Sequence, residues 1–301
     1  MFSLSTCWFG SRQSSGDAMV DEAIEMGFQS LELGYGLNPE ALPKIIERSK
    51  KGDIAVSSLH AFTPAIEGNG GHPELFSIAA TDETARQTAI DKLLQNLRLA
   101  QEIGIPLVVL HAGRINNAAR HWLWVHNRIM NESDSGFFYR RRLRKMNEAR
   151  DREAPSALDA LSRSLDILLP EFEKSSIRLG IENLPSYDAI PTPTEMDTLA
   201  ARFSNSPSFA FWFDMGHAQV MENAGYGNAI SLAKKHLKLI AGVHIHDVIG
   251  PGGDHQAPGL GGIDFKSFSF LKGRALVFEI SPIVQRNELI ASRSFLESLW
   301  S

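Results

Sequence analysis

Short, mostly apolar runs recur along this chain, separated by longer stretches in which apolar positions return every three or four residues. The short runs predict strands over 2–8, 28–33, 54–60, 106–111, 177–182, 209–214, 240–245 and 275–280. The longer ones predict helices over 17–26, 39–50, 82–103, 157–174, 194–203, 226–238 and 286–299. In 82–103, Ile90, Leu93, Leu94, Leu97, Ala100 and Ile103 fall on one face, and Gly104 stops the helix. The 194–203 segment opens on Thr194 with Asp197 three residues on, a pattern close to a capping box. Only the seventh strand lacks a full helix after it; a Gly/Pro-rich loop (250–262) and a short turn near 264–271 take its place. Strand–helix alternation of this kind, eight times in 301 residues, predicts an α/β fold: one (β/α)8 TIM barrel spanning 1–301.

Four of the strands end on a side chain that packing alone does not explain. Glu182 closes IRLGIE, Asp214 closes FAFWFD, His244 closes IAGVH and Glu279 closes ALVFE. In a β/α barrel the C-terminal strand ends meet the substrate, so one acid or imidazole at the same point of four strands predicts a site. Three carboxylates and one imidazole form a hard, oxygen-rich donor set that suits Mn²⁺, Mg²⁺, Co²⁺ or Zn²⁺.

Composition narrows the partners. A net charge of −5 gives no global attraction to nucleic acid or anionic membrane. The one cysteine, Cys7, excludes an internal disulfide framework and fits a reducing compartment. The N-terminal MFSLSTCWFG lacks a basic segment followed by a long apolar one, and no stretch is apolar enough to span a bilayer. The expectation is a cytoplasmic protein, with homo-oligomerisation left open.

Two stretches depart from the barrel rhythm. Residues 61–81 form a loop after strand three that carries Pro64, Gly68, Gly70, Gly71 and Pro73. Residues 114–156, after strand four, are too long for a plain connection and predict a helical insertion over the active-site face. The insertion is aromatic and basic, with Trp122, Trp124, Phe137, Phe138 and Tyr139 beside Arg140, Arg141, Arg142, Arg144 and Lys145. It reads as a solvated flap, as a lid whose cations grip a phosphate or carboxylate, or as a dimerisation or nucleic-acid arm.

The order of SLHAF (58–62), VVLHAG (108–113), LGIENLP (179–185), FDMGHA (213–218), VHIHD (243–247), DHQAPGLGGIDF (254–265) and VFEIS (277–281) resembles the xylose-isomerase-like TIM barrels. That superfamily comprises sugar isomerases and epimerases together with the endonuclease IV type of DNA repair enzyme. The resemblance implies a central divalent ion, Mn²⁺ or Zn²⁺ first and Mg²⁺ or Co²⁺ after them, held by Glu182, Asp214, His244 and Glu279. It further implies that His60 and His111 join Glu182, and that His217 and His255 join a carboxylate, either at further metals or on substrate hydroxyls. The chain departs from the repair branch where that branch carries Asp-x-His, because here Gly253-Asp254-His255 puts the acid one place late. Glu32, at the end of strand two, reaches substrate or braces an arginine. Asn183, beside Glu182, is a supporting or substrate donor. His246 shares the face of His244 by alternation and lines the pocket or pairs with Asp247. His72, His121, His126 and His236 have no partners at ligand spacing and are expected on the surface or lid. Trp8, Phe62 and Trp212 either wall a sugar pocket or belong to the core.

The function implied is a metal-dependent isomerase or epimerase of a small sugar or sugar phosphate. By resemblance Glu182 and Glu279 move a proton off and back onto carbon through a metal-stabilised enediolate. The alternatives are a metal-dependent hydrolase, including a DNA repair phosphodiesterase, and a lyase or dehydratase on a sugar-like substrate. The acidic net charge weighs against nucleic acid.

Overall fold

The computed structural model describes residues 1–10, 12–64, 72–131 and 133–301; Gly68, Gly70 and Gly71 of the expected loop lie outside them. Eight parallel strands close into a barrel: β1 (Phe2–Ser5), β2 (Ser30–Leu33), β3 (Ala55–His60), β4 (Leu107–Leu110), β5 (Arg178–Glu182), β6 (Phe209–Asp214), β7 (Ile240–Ile245) and β8 (Ala275–Phe278). Each strand pairs with its neighbours in sequence, and β8 returns to β1 through Phe2 opposite Leu276. Around the barrel run α1 (Gly16–Glu25), α2 (Leu42–Lys50), α3 (Glu83–Ile103), α4 (Asn116–Met130), α5 (Gly136–Lys174), α6 (Pro193–Phe203), α7 (Met215–Asn223), α8 (Ala229–Lys235) and α9 (Arg286–Leu299). Two short antiparallel pairs sit at the C-terminal rim, Gly113–Arg114 with Ala189–Ile190 and the hairpin Asp247–Ile249 with Gly253–Gln256.

The barrel interior is uneven, and that unevenness positions the site. On the β4–β8 side it is apolar, with Leu107, Val109, Ala210, Trp212 and Val277 in one buried cluster. Trp212 fills most of it. A methyl at Gly242 would stand 2.1 Å from its ring, so β7 has a glycine where the indole crosses. On the β1–β3 side the strands carry the buried serines Ser3, Ser5, Ser30 and Ser58, which leave room for polar groups above them.

Several boundaries differ from the sequence expectation. The first strand ends at Ser5, and Thr6–Trp8 turn as a 3-10 helix. Trp8 is therefore off the strand, buried, with its Nε1 donating to the Val284 carbonyl. The helix expected from Thr194 starts at Pro193 with Thr192 as its cap: the Thr192 hydroxyl accepts from the Glu195 amide while the Glu195 carboxylate accepts from the Thr192 amide. Proline at the first helical position costs no hydrogen bond and moves the cap one residue before it. Residues 157–174 are only the end of α5, a 39-residue helix that runs unbroken through Pro155 out of the insertion. The expected 226–238 helix is shorter, and α7, which was not foreseen, precedes it. Its cap is Asp214 itself, whose Oδ1 accepts the His217 amide at 2.6 Å. Gly104 does end α3, at φ 81.

Candidate metal centre

Glu182, Asp214, His244 and Glu279 converge at the C-terminal end of the barrel, all buried, with ligand-type atoms close enough to share one ion. Nδ1 of His244 lies 3.0 Å from Glu182 Oε1, 3.2 Å from Glu279 Oε2 and 3.6 Å from Asp214 Oδ2. Its other nitrogen, Nε2, is 3.2 Å from both oxygens of Glu32. Glu32 is fully buried and also accepts from the Ser58 hydroxyl at 2.8 Å. Glu32 braces an imidazole and not an arginine, and His244 stands between it and the three other carboxylates. A carboxylate behind a histidine fixes the ring tautomer, so Nδ1 faces the cluster.

Four carboxylates buried together demand positive charge. In the metal-free chain a proton supplies part of it. Burial works against an imidazolium at His244, yet Glu279, Glu32 and Glu182 hold its pKa well above the ordinary value. The same contest leaves Glu182 and Asp214 well below the carboxylate range, with His244 and His111 beside the first and His217 and His246 beside the second.

A second group unites His60, His111 and Glu182. His60 Nδ1 donates to the Ala61 carbonyl at 2.8 Å, which leaves a lone pair on Nε2. That lone pair is 3.2 Å from Glu182 Oε2, as is His111 Nε2 at 3.3 Å, yet neither His60 Nε2 nor Glu182 Oε2 has a hydrogen-bond partner among the described residues. Two buried acceptors facing each other without a proton between them are costly. A cation bound by both removes that cost, so the donor set fits a metal.

A third group, His217, His246 and His255, fits less well. His246 Nδ1 accepts the His255 amide at 2.8 Å, and Nε2 lies 3.0 Å from the Asp214 carboxylate. Both of its nitrogens are thus engaged, and it holds Asp214 in place. Gly216 is the residue that admits the His246 ring, since a Cβ there would come within 1.9 Å of it. His217 and His255 donate through Nδ1 to the carbonyls of Asn183 and Glu279, and Nε2 of each makes no hydrogen bond among the described residues. His255 sits at φ 53, a left-handed backbone uncommon outside glycine, and is retained there beside the cluster.

Asn183 serves the site from behind. Its Nδ2 donates to the Asp214 carbonyl and its Oδ1 accepts the Asp214 amide, both at 2.9 Å, so its amide group is spent on backbone. Asp247 is also structural: its oxygens accept the amides of Val248, Gly259, Gly261 and Ile263 and so fold the Gly-rich loop. Trp212 forms the floor, its ring 5.0 Å edge-on from that of His244, and Phe62 is buried beside Phe76. His236 was expected on the surface but is buried 3.1 Å from Asp197.

Sequence patterns did not point to three neighbours of the cluster. Glu74 Oε1 is 3.6 Å from His111 Nδ1, and its other oxygen is 2.6 Å from Arg114 Nε. Burial opposes its ionisation, but His111 and Arg114 bring its pKa down to about 2. Tyr35 lies edge-on to His60 with ring centres 5.3 Å apart. Desolvation of the half-buried Cys7 thiol and the nearby Glu279 push its pKa up to about 12, so it is no nucleophile at neutral pH. Glu74 and Arg114 are polar loop residues without a motif; only their position after a strand end could have drawn attention to them.

The insertion contacts the rim of the barrel through α4. Its α4 packs Trp122 against Tyr226, ring centres 5.9 Å apart, and Met130 and His126 against Gly252, where a Cβ would be 2.5 Å from the Met130 sulfur. Arg140, Arg141, Arg144 and Lys145 are exposed on the first turns of α5, and Arg142 stacks over Trp124. No described helix is long and apolar enough to cross a membrane.

Solved structures share this architecture. A D-tagatose 3-epimerase-like protein superposes with a TM-score of 0.69 at 19% identity, over 99% of this chain and 96% of that one. A 3-keto-D-glucoside 4-epimerase from E. coli gives 0.70 at 16%, over 99% and 98%. An IOLI protein with a bound zinc atom gives 0.67 at 15%, over 100% and 98%. In sequence, an uncharacterised protein of Methanocaldococcus jannaschii is 30% identical over 112 residues, 37% of this chain and 41% of the relative, so the match spans less than half of that protein. The family described as xylose isomerase-like TIM barrel matches residues 20–272, most of the chain. With the closed eight-stranded barrel, that match makes this chain a member of the xylose isomerase-like TIM barrel family.

Proposed function

We propose that this chain is a divalent-metal-dependent isomerase or epimerase of a sugar or sugar phosphate. The observation that carries the proposal is the convergence of Glu182 and Glu279 on one histidine nitrogen, at 3.0 and 3.2 Å, in a buried cluster at the strand ends. The structural neighbours, among them a 3-keto-D-glucoside 4-epimerase and a D-tagatose 3-epimerase-like protein, support it. Glu182, Asp214, His244 and Glu279 would hold the ion, with Mn²⁺ or Zn²⁺ the leading identities and Mg²⁺ or Co²⁺ the others their chemistry allows. When bound, the ion supplies Lewis-acid stabilisation for the charge that develops on a carbonyl oxygen.

The residues divide the remaining work. Glu279 and Glu182 are the two carboxylates able to take a proton from carbon and give one back. Return to the neighbouring carbon isomerises, and return to the opposite face epimerises. Asp214 is fixed by His246, Asn183 and the start of α7, so it orients and does not move protons. Glu32 keeps the His244 proton on Nε2. The insertion 114–156 acts as a cover, and α4 over the 250–255 hairpin keeps bulk water off the pocket. His217 and His255 direct their free nitrogens to substrate hydroxyls.

A metal-dependent hydrolase is the second reading, and the facing acceptors His60 Nε2 and Glu182 Oε2, with His111 beside them, favour it, since they invite a second ion. The engaged His246 weighs against a third. The two chemistries separate in D₂O. Incubation of the Mn²⁺-loaded chain with a panel of ketoses and their phosphates should exchange deuterium into the carbon next to the carbonyl. Phosphodiester or ester cleavage with no carbon-bound exchange on any sugar would move the protein to the hydrolases.

A further inference from the structure

Among the histidines of the cluster, His111 differs in how its outer nitrogen is held. His60, His217 and His255 donate through Nδ1 to backbone carbonyls, and His244 Nε2 faces Glu32. Nδ1 of His111 is buried with no hydrogen-bond partner among the described residues, while its Nε2 lies 3.3 Å from Glu182 Oε2. A neutral imidazole that binds through one nitrogen carries its proton on the other, and a nearby carboxylate fixes that choice.

Glu74 is built into the right place to make it. Residues 72–80 cross the 111–114 turn that follows β4 and are fastened to it. The Ser77 hydroxyl donates to the Ala112 carbonyl at 3.1 Å, and the Ala79 amide donates to the same oxygen at 3.2 Å. Gly113 allows this approach, because a Cβ there would lie 2.0 Å from the Ser77 oxygen. Glu74 then reaches two residues of the turn at once: Oε2 is 2.6 Å from Arg114 Nε, and Oε1 is 3.6 Å from His111 Nδ1.

Charge decides what the longer contact does. At 3.6 Å it is too long for an ordinary hydrogen bond, so Oε1 acts on the ring through its charge. Arg114 does not cancel that charge, because its Nη1 is also 3.1 Å from Asp188, which is 0% exposed. Two carboxylates share one guanidinium, and one negative charge is left over beside His111. The Glu74 side chain is 17% exposed and that of His111 10%, so solvent screens the pair only in part.

Resting on the metal-dependent reading above, and equally for an isomerase or a hydrolase, we infer that Glu74 is the positioning residue of His111. It keeps the ring proton on Nδ1 and turns the Nε2 lone pair toward Glu182, where His111 joins His60 on a cation. Glu74 thus does for His111 what Glu32 does for His244.

The test reads the ion and the ring apart from turnover. ¹⁵N-histidine NMR of the Zn²⁺-loaded chain, with the His111 signals identified by their loss in His111→Gln, should show Nδ1 protonated and Nε2 shifted by the metal. Glu74→Gln keeps the shape and removes the charge. It should weaken the ion seen at His111 by about ten- to a hundred-fold in chelator competition, the range for a residue that orients a ligand. The ion seen at His244 and the melting temperature should stay as they are. Glu74→Asp, which keeps the charge on a shorter arm, should recover part of the loss. A His111 protonated on Nε2 in the unmodified chain overturns the inference without any variant. Unchanged affinity at His111 in Glu74→Gln overturns it too, and leaves Glu74 as an anchor for Arg114. Zn²⁺ at His244 but not at His111 likewise overturns it, and deuterium exchange into a sugar would then leave the isomerase reading standing. Selective loss of the His111 ion in Glu74→Gln, with no exchange into any sugar, does the reverse.

Discussion

Glu279→Gln is expected to lower turnover by about 10²- to 10⁴-fold, the usual worth of a positioned acid or base, with little change in melting temperature. The substitution keeps the shape of the side chain and removes its capacity to carry a proton. In the metal-free chain it also takes one of four buried carboxylates away from His244, which relieves repulsion among the rest. Activity and stability should therefore separate. Glu182→Gln should cost as much activity and more metal, because Glu182 also faces His60 and His111. Near-normal turnover in both variants would remove the proton-transfer roles. A lowered melting temperature with unchanged metal content would reduce the two acids to structural groups.

Glu32→Gln is expected to weaken metal retention by roughly 10- to 100-fold, as for other residues that orient a histidine ligand. Glu32 is 0% exposed and 3.2 Å from His244 Nε2 through both oxygens, so it contributes the negative charge that keeps the proton on that nitrogen. Glutamine can still accept one hydrogen bond but brings no charge, and the ring can then turn or change tautomer. Ser58→Ala, which removes only the 2.8 Å bond to Glu32, should give a smaller loss in the same direction. Competition with a chromogenic chelator measures both. Equal metal affinity in all three proteins would show that His244 needs no brace.

The barrel was legible because its strands are short apolar runs and its helices keep their period, so element type and order followed from pattern. Boundaries were harder where one residue serves two elements. Asp214 is at once the last residue of β6 and the cap of α7, and nothing in MGHAQVMEN marks a helix by hydrophobic period. Pro155 reads as a stop, and α5 runs through it because the helix is held against α4 and α3 along its length. The site was legible where chemistry and strand ends coincide, as at Glu182, Asp214, His244 and Glu279. It was illegible where a role depends on which atom faces which. Alternation placed His246 near the cluster, but only geometry shows both its nitrogens engaged. Glu32 could be placed at a strand end, but not assigned to an imidazole on a strand more than 200 residues away.

Counting metal ions tests the centre most directly. Purified chain loaded with Mn²⁺ or Zn²⁺ and then dialysed should retain at least one ion per chain by elemental analysis, while Asp214→Ala and His244→Ala, folded by circular dichroism, should retain roughly a tenth or less. A wild-type chain that retains no divalent ion, or variants that retain as much as it does, would contradict a metal centre at these four residues.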